Sequence, residues 1–259
     1  MTPPGATRAT DLDVAAYVLR LGDDALVLGQ RLCEWAARSP TIEQDVALLN
    51  LALDDLGQAR GLLTHAGRLE GRGRDEDDLA FGRDEPEFVN ALLMELECGD
   101  FARTMARQLL VAAYALPLWT ALTDSADDVL AGVAGKAVKE VAYHLDHARS
   151  WVVRLGDGTD ESSRRMQTAL DELWPYTAEL FESDALTERL VVRGVAADPA
   201  ALEAAWRVTV EAVCREATLT VPQPTWRPTG GRNGRHTEAF GHLLAELQHL
   251  HRSHPGVTW

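Results

Sequence analysis

The chain has 259 residues, 46% of them hydrophobic and 6% aromatic, and a formal net charge of -15 at pH 7. A chain of this length can bury a sizeable core, and its abundance of Ala, Leu and Val favours packed helices over a sheet. The negative charge repels a phosphate backbone, which argues against nucleic acid as a partner.

The cysteines and the hydrophobic runs indicate a cytoplasmic protein. Three Cys stand at scattered positions, odd in number and without a C-x-x-C motif, which argues against a disulfide framework and against a zinc site. The sequence has no run of 18 or more apolar residues and no signal peptide. We therefore expect a cytoplasmic location and no membrane partner.

Two long helices are predicted in the first part of the chain. Residues 1–10 are rich in Pro, Gly and Thr, and we expect them to be disordered. Apolar residues at spacings of three and four predict the first helix over 11–37, where Gly22 indicates a kink or a close helix contact. A Ser-Pro start signal predicts the second helix over about 40–69.

The third helical region is interrupted. Residues 70–85 are polar, Gly-rich and highly charged, which is typical of a connecting loop. A short helix is predicted over 86–97, and a break follows at Gly99. A longer helix is predicted over 100–124, and Pro117 should kink it.

A fourth long helix is predicted from a cap at Ser125 or Asp127 to Leu155. A helix with carboxylate and imidazole groups three or four residues apart is how four-helix bundles build metal sites in their cores. This helix carries carboxylate and imidazole groups among its apolar residues, at Glu140, His144, Asp146 and His147, together with Lys136 and Lys139.

Further helices are predicted beyond the fourth, and a Pro- and Gly-rich loop interrupts them at 221–233. The predicted ranges are 162–182, 184–190, 199–218 and 237–251.

The order of these elements predicts an all-α protein. Four long helices with a long connection near the middle match a ferritin-like four-helix bundle, here with an interrupted third helix and additional C-terminal helices. We expect a single domain over 11–259, with the core bundle at about 11–155 and the C-terminal helices at about 162–259.

A di-iron site in such a bundle needs a Glu from each of two helices and a Glu-x-x-His from each of the other two. In the second helix the comparable pair is Asp55 and Gln58, with a shorter acid and an amide in place of the imidazole. In the fourth helix, Val141 stands three residues before His144, and Glu140 stands four before it. The ligand pattern is therefore damaged in both helices.

Each of these residues also has a structural interpretation. Asp55 and Gln58 form the spacing of a hydrogen-bonded polar pair, and His144 suits a core histidine paired with an acid. His147 is expected at the helix surface, and Glu95 is expected to cap or solvate a helix end, as is its neighbour Glu97.

Two further motifs are interpreted structurally. Asp23 and Asp24 are adjacent, so we expect them not to face the core together, and at least one should lie on a solvated face. The Gly-rich, basic string over 230–238 lacks the context of a phosphate-binding loop. We expect a structured turn there, with Thr237 capping the last helix.

Several motifs together resemble a known family, in order and from about Leu12 to Trp259. They resemble the structural C-subunits of phenylacetyl-CoA epoxidases, which are bacterial multicomponent oxygenases of the ferritin-like superfamily. The stretches that carry the resemblance are 19–35, 52–60, 136–145, 234–238 and 255–259.

The resemblance implies a division of labour. A sister A-subunit of the same fold would hold the di-iron site and epoxidise the ring of phenylacetyl-CoA with dioxygen. The C-subunit, having lost ligands, would support it in a heterodimer, with a small B-subunit and a reductase in the wider complex. This chain would then bind no cofactor and carry no catalytic residue. A homo-oligomer would form only in the absence of the partner subunit. Its vestigial di-iron-like positions would be Asp24, Asp55, Gln58, Glu140 and His144.

Loss of two metal cations would leave buried acids that need another counter-charge. Lys136 or Lys139, or an Arg from another helix, is expected to supply it. Two alternatives remain open. One is a metal-binding oxygenase with atypical ligands, and the other is a helical interaction domain unrelated to oxygenases. The atypical ligands of the first alternative would be Asp24, Asp55, Glu140 and His144.

Overall fold

The computed structural model describes residues 4–257, with side chains from residue 11 onward, and every regular element in this range is helical. The predicted all-α class is confirmed. Short 3-10 turns occupy Glu85–Glu87, Trp174–Phe181 and Gly231–Asn233. The α-helices of the described range are α1 (Pro4–Cys33), α2 (Ile42–Glu70), α3 (Glu76–Phe81), α4 (Leu92–Glu95), α5 (Phe101–Leu122), α6 (Asp128–Gly156), α7 (Asp160–Leu173), α8 (Ala185–Val192), α9 (Pro199–Glu216) and α10 (Glu238–Ser253).

Several helices begin close to their predicted starts, because side-chain N-caps occupy the positions where the sequence signals them. Asp100, Asp127, Asp184 and Asp198 each accept a backbone N–H as the N-cap of α5, α6, α8 and α9. The N-terminus differs from the prediction. The helix α1 begins at Pro4, inside the predicted disordered tail, and residues 1–3 of that tail lie outside the described residues.

Two predictions for the middle of the chain are wrong. The predicted loop contains α3, which a capping box between Asp75 and Asp78 starts. In the predicted helix over 86–97, only residues 92–95 form an α-helix, 86–87 belong to a 3-10 turn, and 88–91 and 96–97 are not helical. The backbone N–H groups of Val89 and Ala91 donate to carboxylates of α1 instead of to carbonyls within a helix.

The described residues divide into two compact units. Unit 1 contains Met1–Arg38, Glu43–Glu97 and Gly230–Trp259, and unit 2 contains Ser39–Ile42 and Cys98–Thr229. This grouping differs from a core bundle followed by C-terminal helices, because the last helix belongs to the same unit as the first. The single domain stays a prediction.

In unit 1, α1 packs closely on α2. A Cβ atom at Gly22 would lie 2.9 Å from Leu63 Cδ2, and one at Gly29 would lie 3.2 Å from the Ala52 carbonyl oxygen. The contact position on α2 moves back from 63 to 52 as the position on α1 advances from 22 to 29, so α1 and α2 are antiparallel. The close helix contact predicted at Gly22 is confirmed. The C-terminal α10 packs on α3 and α4 of the same unit.

In unit 2, α5 is the central helix and packs on α6, α7 and α9. Trp206 of α9 is 2% exposed, and its indole Nε1 donates to the Leu110 carbonyl of α5 at 2.9 Å. Within the described part of the chain, α5 alone is long and apolar enough to span a membrane. Because 72% of its apolar window is buried inside the protein, its composition suits a core helix equally well.

Two glycines of α6 give a matched test of this packing. A Cβ at Gly156 would lie 2.4 Å from the Ala217 carbonyl oxygen, whereas a Cβ at Gly135 meets nothing within 4 Å. We expect Gly156→Ala to lower the free energy of unfolding by about 1–3 kcal/mol through overpacking. Gly135→Ala should raise it by about 0.4–1 kcal/mol, because alanine favours the helix. Urea denaturation measures both, and equal stability of the two variants would contradict the described contact.

Candidate functional site

Both adjacent acids of α1 are buried, with Asp23 0% and Asp24 8% exposed. The expectation that at least one lies on a solvated face is therefore wrong. Successive residues of a helix point in directions about 100° apart, so the two carboxylates reach different partners. Both partners are arginines of unit 1 that lie outside the long helices, namely Arg83 and Arg232.

Asp23 is paired with Arg83. Arg83 Nη1 lies 3.0 Å from Asp23 Oδ2, and its Nη2 donates to Oδ1. The Val89 N–H donates to the same carboxylate at 2.9 Å. The Arg83 guanidinium also lies over the Phe88 ring, 4.0 Å from its centroid. The pair thus fixes residues 83–89 against α1.

Asp24 is paired with Arg232. Arg232 Nη2 lies 2.7 Å from Oδ2 and its Nη1 2.9 Å from Oδ1, and the Ala91 N–H donates to Oδ1 at 2.8 Å. Burial raises the pKa of the Asp24 carboxyl, while Arg232 and the Ala91 N–H oppose that rise. Both carboxylate oxygens of Asp24 are thus engaged by a cation of the protein itself.

Glu95 is 0% exposed, so the expectation that it solvates a helix end is wrong, whereas Glu97 is exposed as expected. Glu95 Oε2 lies 2.7 Å from His236 Nδ1 and accepts from Asn90 Nδ2 at 2.8 Å. Its Oε1 accepts from the Thr237 N–H at 2.6 Å. A third buried acid is therefore held by the segment before α10.

His236 has acceptors at both ring nitrogens. Nδ1 faces the Glu95 carboxylate, and Nε2 lies 3.0 Å from the Phe88 carbonyl oxygen. Because both oxygens are acceptors, the imidazolium is the form of the ring that satisfies both contacts, since it donates from both nitrogens. Burial acts to lower the pKa of His236, but the hydrogen bond and charge of Glu95, with the Phe88 carbonyl, raise it on balance.

The Gly-rich string over 230–238 is a structured turn, as predicted. A Cβ at Gly231 would lie 2.2 Å from the Asn90 carbonyl oxygen, and Gly234 has a φ of +70°. Thr237 is the N-cap residue of α10, but its side chain makes no capping hydrogen bond. The turn is therefore shaped to fit residues 86–92 of unit 1 rather than to cradle a phosphate.

We call this set the buried ionic cluster, defined as Asp23, Asp24, Arg83, Glu95, Arg232 and His236. The sequence interpretation missed its three cations. One signal was available, since three acids without an assigned partner had to be matched by basic residues, and the 230–238 string holds two Arg and one His. Nothing in a single sequence says which basic residue meets which acid.

The predicted site residues occupy both units. Asp24 lies in unit 1 with Asp55 and Gln58, which are both 5% exposed on one face of α2. Glu140 and His144 lie on α6 of unit 2, where His144 is 3% exposed and Glu140 is partly exposed.

The lysines expected as counter-charges lie on the outer part of α6. Lys136 Nζ lies 3.0 Å from Glu140 Oε1, but the lysine side chain is 71% exposed. Such a surface pair contributes at most about 1 kcal/mol. Lys139 is exposed. Asp24 receives its counter-charge from Arg232 rather than from a lysine. His147, expected at the surface, is half-buried, and burial lowers its pKa.

The described residues do not fit a di-iron group. Among them, no three His, Cys, Asp or Glu side chains are grouped to hold a metal ion. Asp24 is held in a bidentate pair by Arg232, and Val141, three residues before His144, is a buried apolar side chain. We therefore derive no chemical step through iron on this chain.

Comparison with known proteins identifies the family. The sequence profile of the phenylacetic acid catabolic protein family matches residues 4–259. The chain belongs to this family. It is 50% identical over 246 residues to the C-subunit of the 1,2-phenylacetyl-CoA epoxidase of Escherichia coli (strain K12), and the match covers 95% of this chain and 99% of that protein.

A solved structure shows the fold. A Synechococcus protein with aldehyde deformylating oxidase activity matches with a TM-score of 0.55 at 18% identity, over 80% of this chain and 94% of that one. The predicted ferritin-like, all-helical fold is confirmed.

The pair of Asp24 and Arg232 can be tested by a double-mutant cycle. We expect Arg232→Met to lower the free energy of unfolding by about 3–5 kcal/mol, because Asp24 stays buried without its cation. Adding Asp24→Asn should recover part of that loss, since the buried charge is removed. Arg227→Met, at an exposed arginine, is the control and should change stability by less than about 0.5 kcal/mol. Additive single effects would contradict the pairing.

The charge on His236 predicts a pH dependence. Its folded pKa is raised above the ordinary 6.5, so its contribution is complete below that value and is lost as the pH rises through the folded pKa. We expect the unfolding free energy of the wild type to fall, as the pH rises above about 6.5, more steeply than that of His236→Gln. His249→Gln, at an exposed histidine, should follow the wild type. Parallel curves for wild type and His236→Gln would show that His236 is not a buried cation.

Proposed function

We propose that this chain is a non-catalytic structural subunit of a phenylacetyl-CoA epoxidase in aerobic phenylacetate degradation. It pairs with a di-iron A-subunit of the same fold, and a small B-subunit and a reductase belong to the wider complex. The observation that supports this proposal most is the 50% identity to the C-subunit of an epoxidase over nearly its whole length. We place the complex in the cytoplasm.

The chemistry of the buried acids supports a structural role. A di-iron bundle needs carboxylates whose oxygens are available to the metal. Here the oxygens of Asp23, Asp24 and Glu95 accept from arginine, histidine and backbone donors of the same unit. A carboxylate in a bidentate arginine pair would have to give up that pair before it could bind a metal.

The alternative is a metal-binding oxygenase with Asp24, Asp55, Glu140 and His144 as ligands. It would need Asp24 to exchange Arg232 for a metal ion. It would also need a binding geometry that differs from two Glu-x-x-His motifs, because the pairs here are Asp55 with Gln58 and Val141 with His144. These observations favour the structural role.

Iron content separates the two functions. The chain is expressed alone with iron supplied, purified without chelator and analysed by elemental spectrometry, with the A-subunit as the positive control. We expect less than roughly a tenth of an iron per chain, since a di-iron bundle carries two. One to two irons per chain, with an oxidised di-iron absorption band, would overturn the structural role.

Co-expression tests the pairing. We expect the A-subunit to co-purify with this chain and epoxidase activity to require the A-subunit's iron. Activity of this chain without the A-subunit would contradict the proposal.

A further inference from the structure

A cavity of about 320 Å³ lies within unit 2. Its walls come from the 3-10 turn Trp174–Phe181, from α9 and from the Pro-rich segment over 222–227. Pockets that hold small ligands range from about 300 to 1,000 Å³. The volume of this cavity therefore suits a molecule of amino-acid size rather than a nucleotide.

One wall of the cavity is a preformed aromatic group. The ring centroid of Trp206 lies 5.1 Å from that of Trp174 and 5.2 Å from that of Phe181. Both Trp side chains are buried, while Phe181 is half-buried. An aromatic ring of a ligand can pack on Phe181 in an offset-stacked or edge-to-face geometry.

The Pro-rich wall is also held in place. The pyrrolidine rings of Pro222 and Pro224 fix the backbone φ at two of its positions. Thr229 Oγ1 donates to Glu182 Oε2 at 2.8 Å, which connects the end of the segment to the residue after the 3-10 turn. Because little of the chain has to be ordered when a ligand enters, the cavity is well prepared for binding.

Two arginines and two glutamates line the cavity. One pair is already neutralised, because Arg207 Nη2 lies 2.9 Å from Glu203 Oε1. The other two are exposed and have no ion pair within the described part of the chain, namely Arg227 and Glu182. The cavity therefore offers a ligand one guanidinium and one carboxylate.

These two charges select the class of ligand. A guanidinium such as that of Arg227 binds a carboxylate through two parallel hydrogen bonds. Glu182 repels a ligand that is only a carboxylate, but it attracts an ammonium group. A zwitterion satisfies both side chains, and an aromatic side chain on the zwitterion satisfies the wall at Phe181.

We propose that this cavity binds a free α-amino acid with an aromatic side chain. Arg227 pairs with the α-carboxylate of the ligand, Glu182 pairs with its α-ammonium group, and its ring packs on Phe181. The inference does not rest on the proposed function, because every group that it uses belongs to unit 2 of this chain.

Calorimetric titration of the purified full chain with L-phenylalanine tests the site, and we expect saturable binding of one ligand per chain. Three analogues each lack one group, since phenylacetate has no ammonium group, 2-phenylethylamine no carboxylate and L-alanine no ring. Each should bind about 10-fold more weakly than L-phenylalanine, or weaker still. This series uses the wild type alone, so it does not depend on the folding of a variant.

Two variants locate the ligand. Arg227→Met should weaken the binding of L-phenylalanine by about 10-fold or more, and Glu182→Gln by about 5-fold or more, because each removes a charge-assisted hydrogen bond. Arg215→Met and Glu188→Gln make the same changes at exposed positions of α9 and α8 and should bind as the wild type does. Circular dichroism checks that each variant is folded.

Three outcomes would overturn the inference. The first is the absence of saturable binding of L-phenylalanine up to about 10 mM. The second is an analogue that binds as tightly as L-phenylalanine, because the group that it lacks would then make no contact. The third is wild-type affinity in both Arg227→Met and Glu182→Gln, which would place the ligand elsewhere. None of these results bears on the proposed function, which iron content and co-expression test separately.

Discussion

Unit 1 depends on the neutralisation of three buried acids by cations from distant parts of the chain. A buried carboxylate is costly unless a cation and further donors satisfy it, so each of these acids fixes the segment that supplies its partner. Arg232 lies 208 residues beyond Asp24, and His236 lies 141 residues beyond Glu95. This is why α10 belongs to the same compact unit as the first helix. The hydrophobic face of α10 alone would not specify that location, because any apolar groove of suitable length would cover it.

The same pairing engages the carboxylates of α1 with cations of the protein itself. In a di-iron bundle, metal ions neutralise the charge of the carboxylates that face the core. The metal ions dissociate when the ligand geometry is lost. In this chain the carboxylates of α1 are balanced by guanidinium groups, which are covalently part of the fold and always charged. A site of this kind holds α1, the 83–95 segment and the turn before α10 in one arrangement at any metal concentration. That property suits the structural role proposed for this chain.

The sequence predicts the long helices well and the cluster poorly, for a physical reason. Periodicity and caps are local signals, so α5, α6, α8 and α9 were within reach of the sequence alone. The segment over 86–97 has apolar content typical of a helix, yet the N–H groups of Val89 and Ala91 bond to Asp23 and Asp24 of α1. Whether these N–H groups bond within a helix or to the acids of α1 depends on residues more than sixty positions away. The burial of both adjacent acids depends in the same way on two arginines whose positions only the folded chain defines.

The buried face of α2 is mostly apolar, but it includes two polar side chains, and the opposite face exposes aliphatic ones. Asp55 and Gln58 are buried, while Val46 and Leu53 point outward. The hydrophobic effect and the cost of burying polar groups both oppose this arrangement in a protein that acts alone. Exposed aliphatic side chains no longer cost free energy once another chain covers them, because the apolar area of both chains is then removed from water. The arrangement of α2 is therefore easier to understand for a subunit than for a monomer.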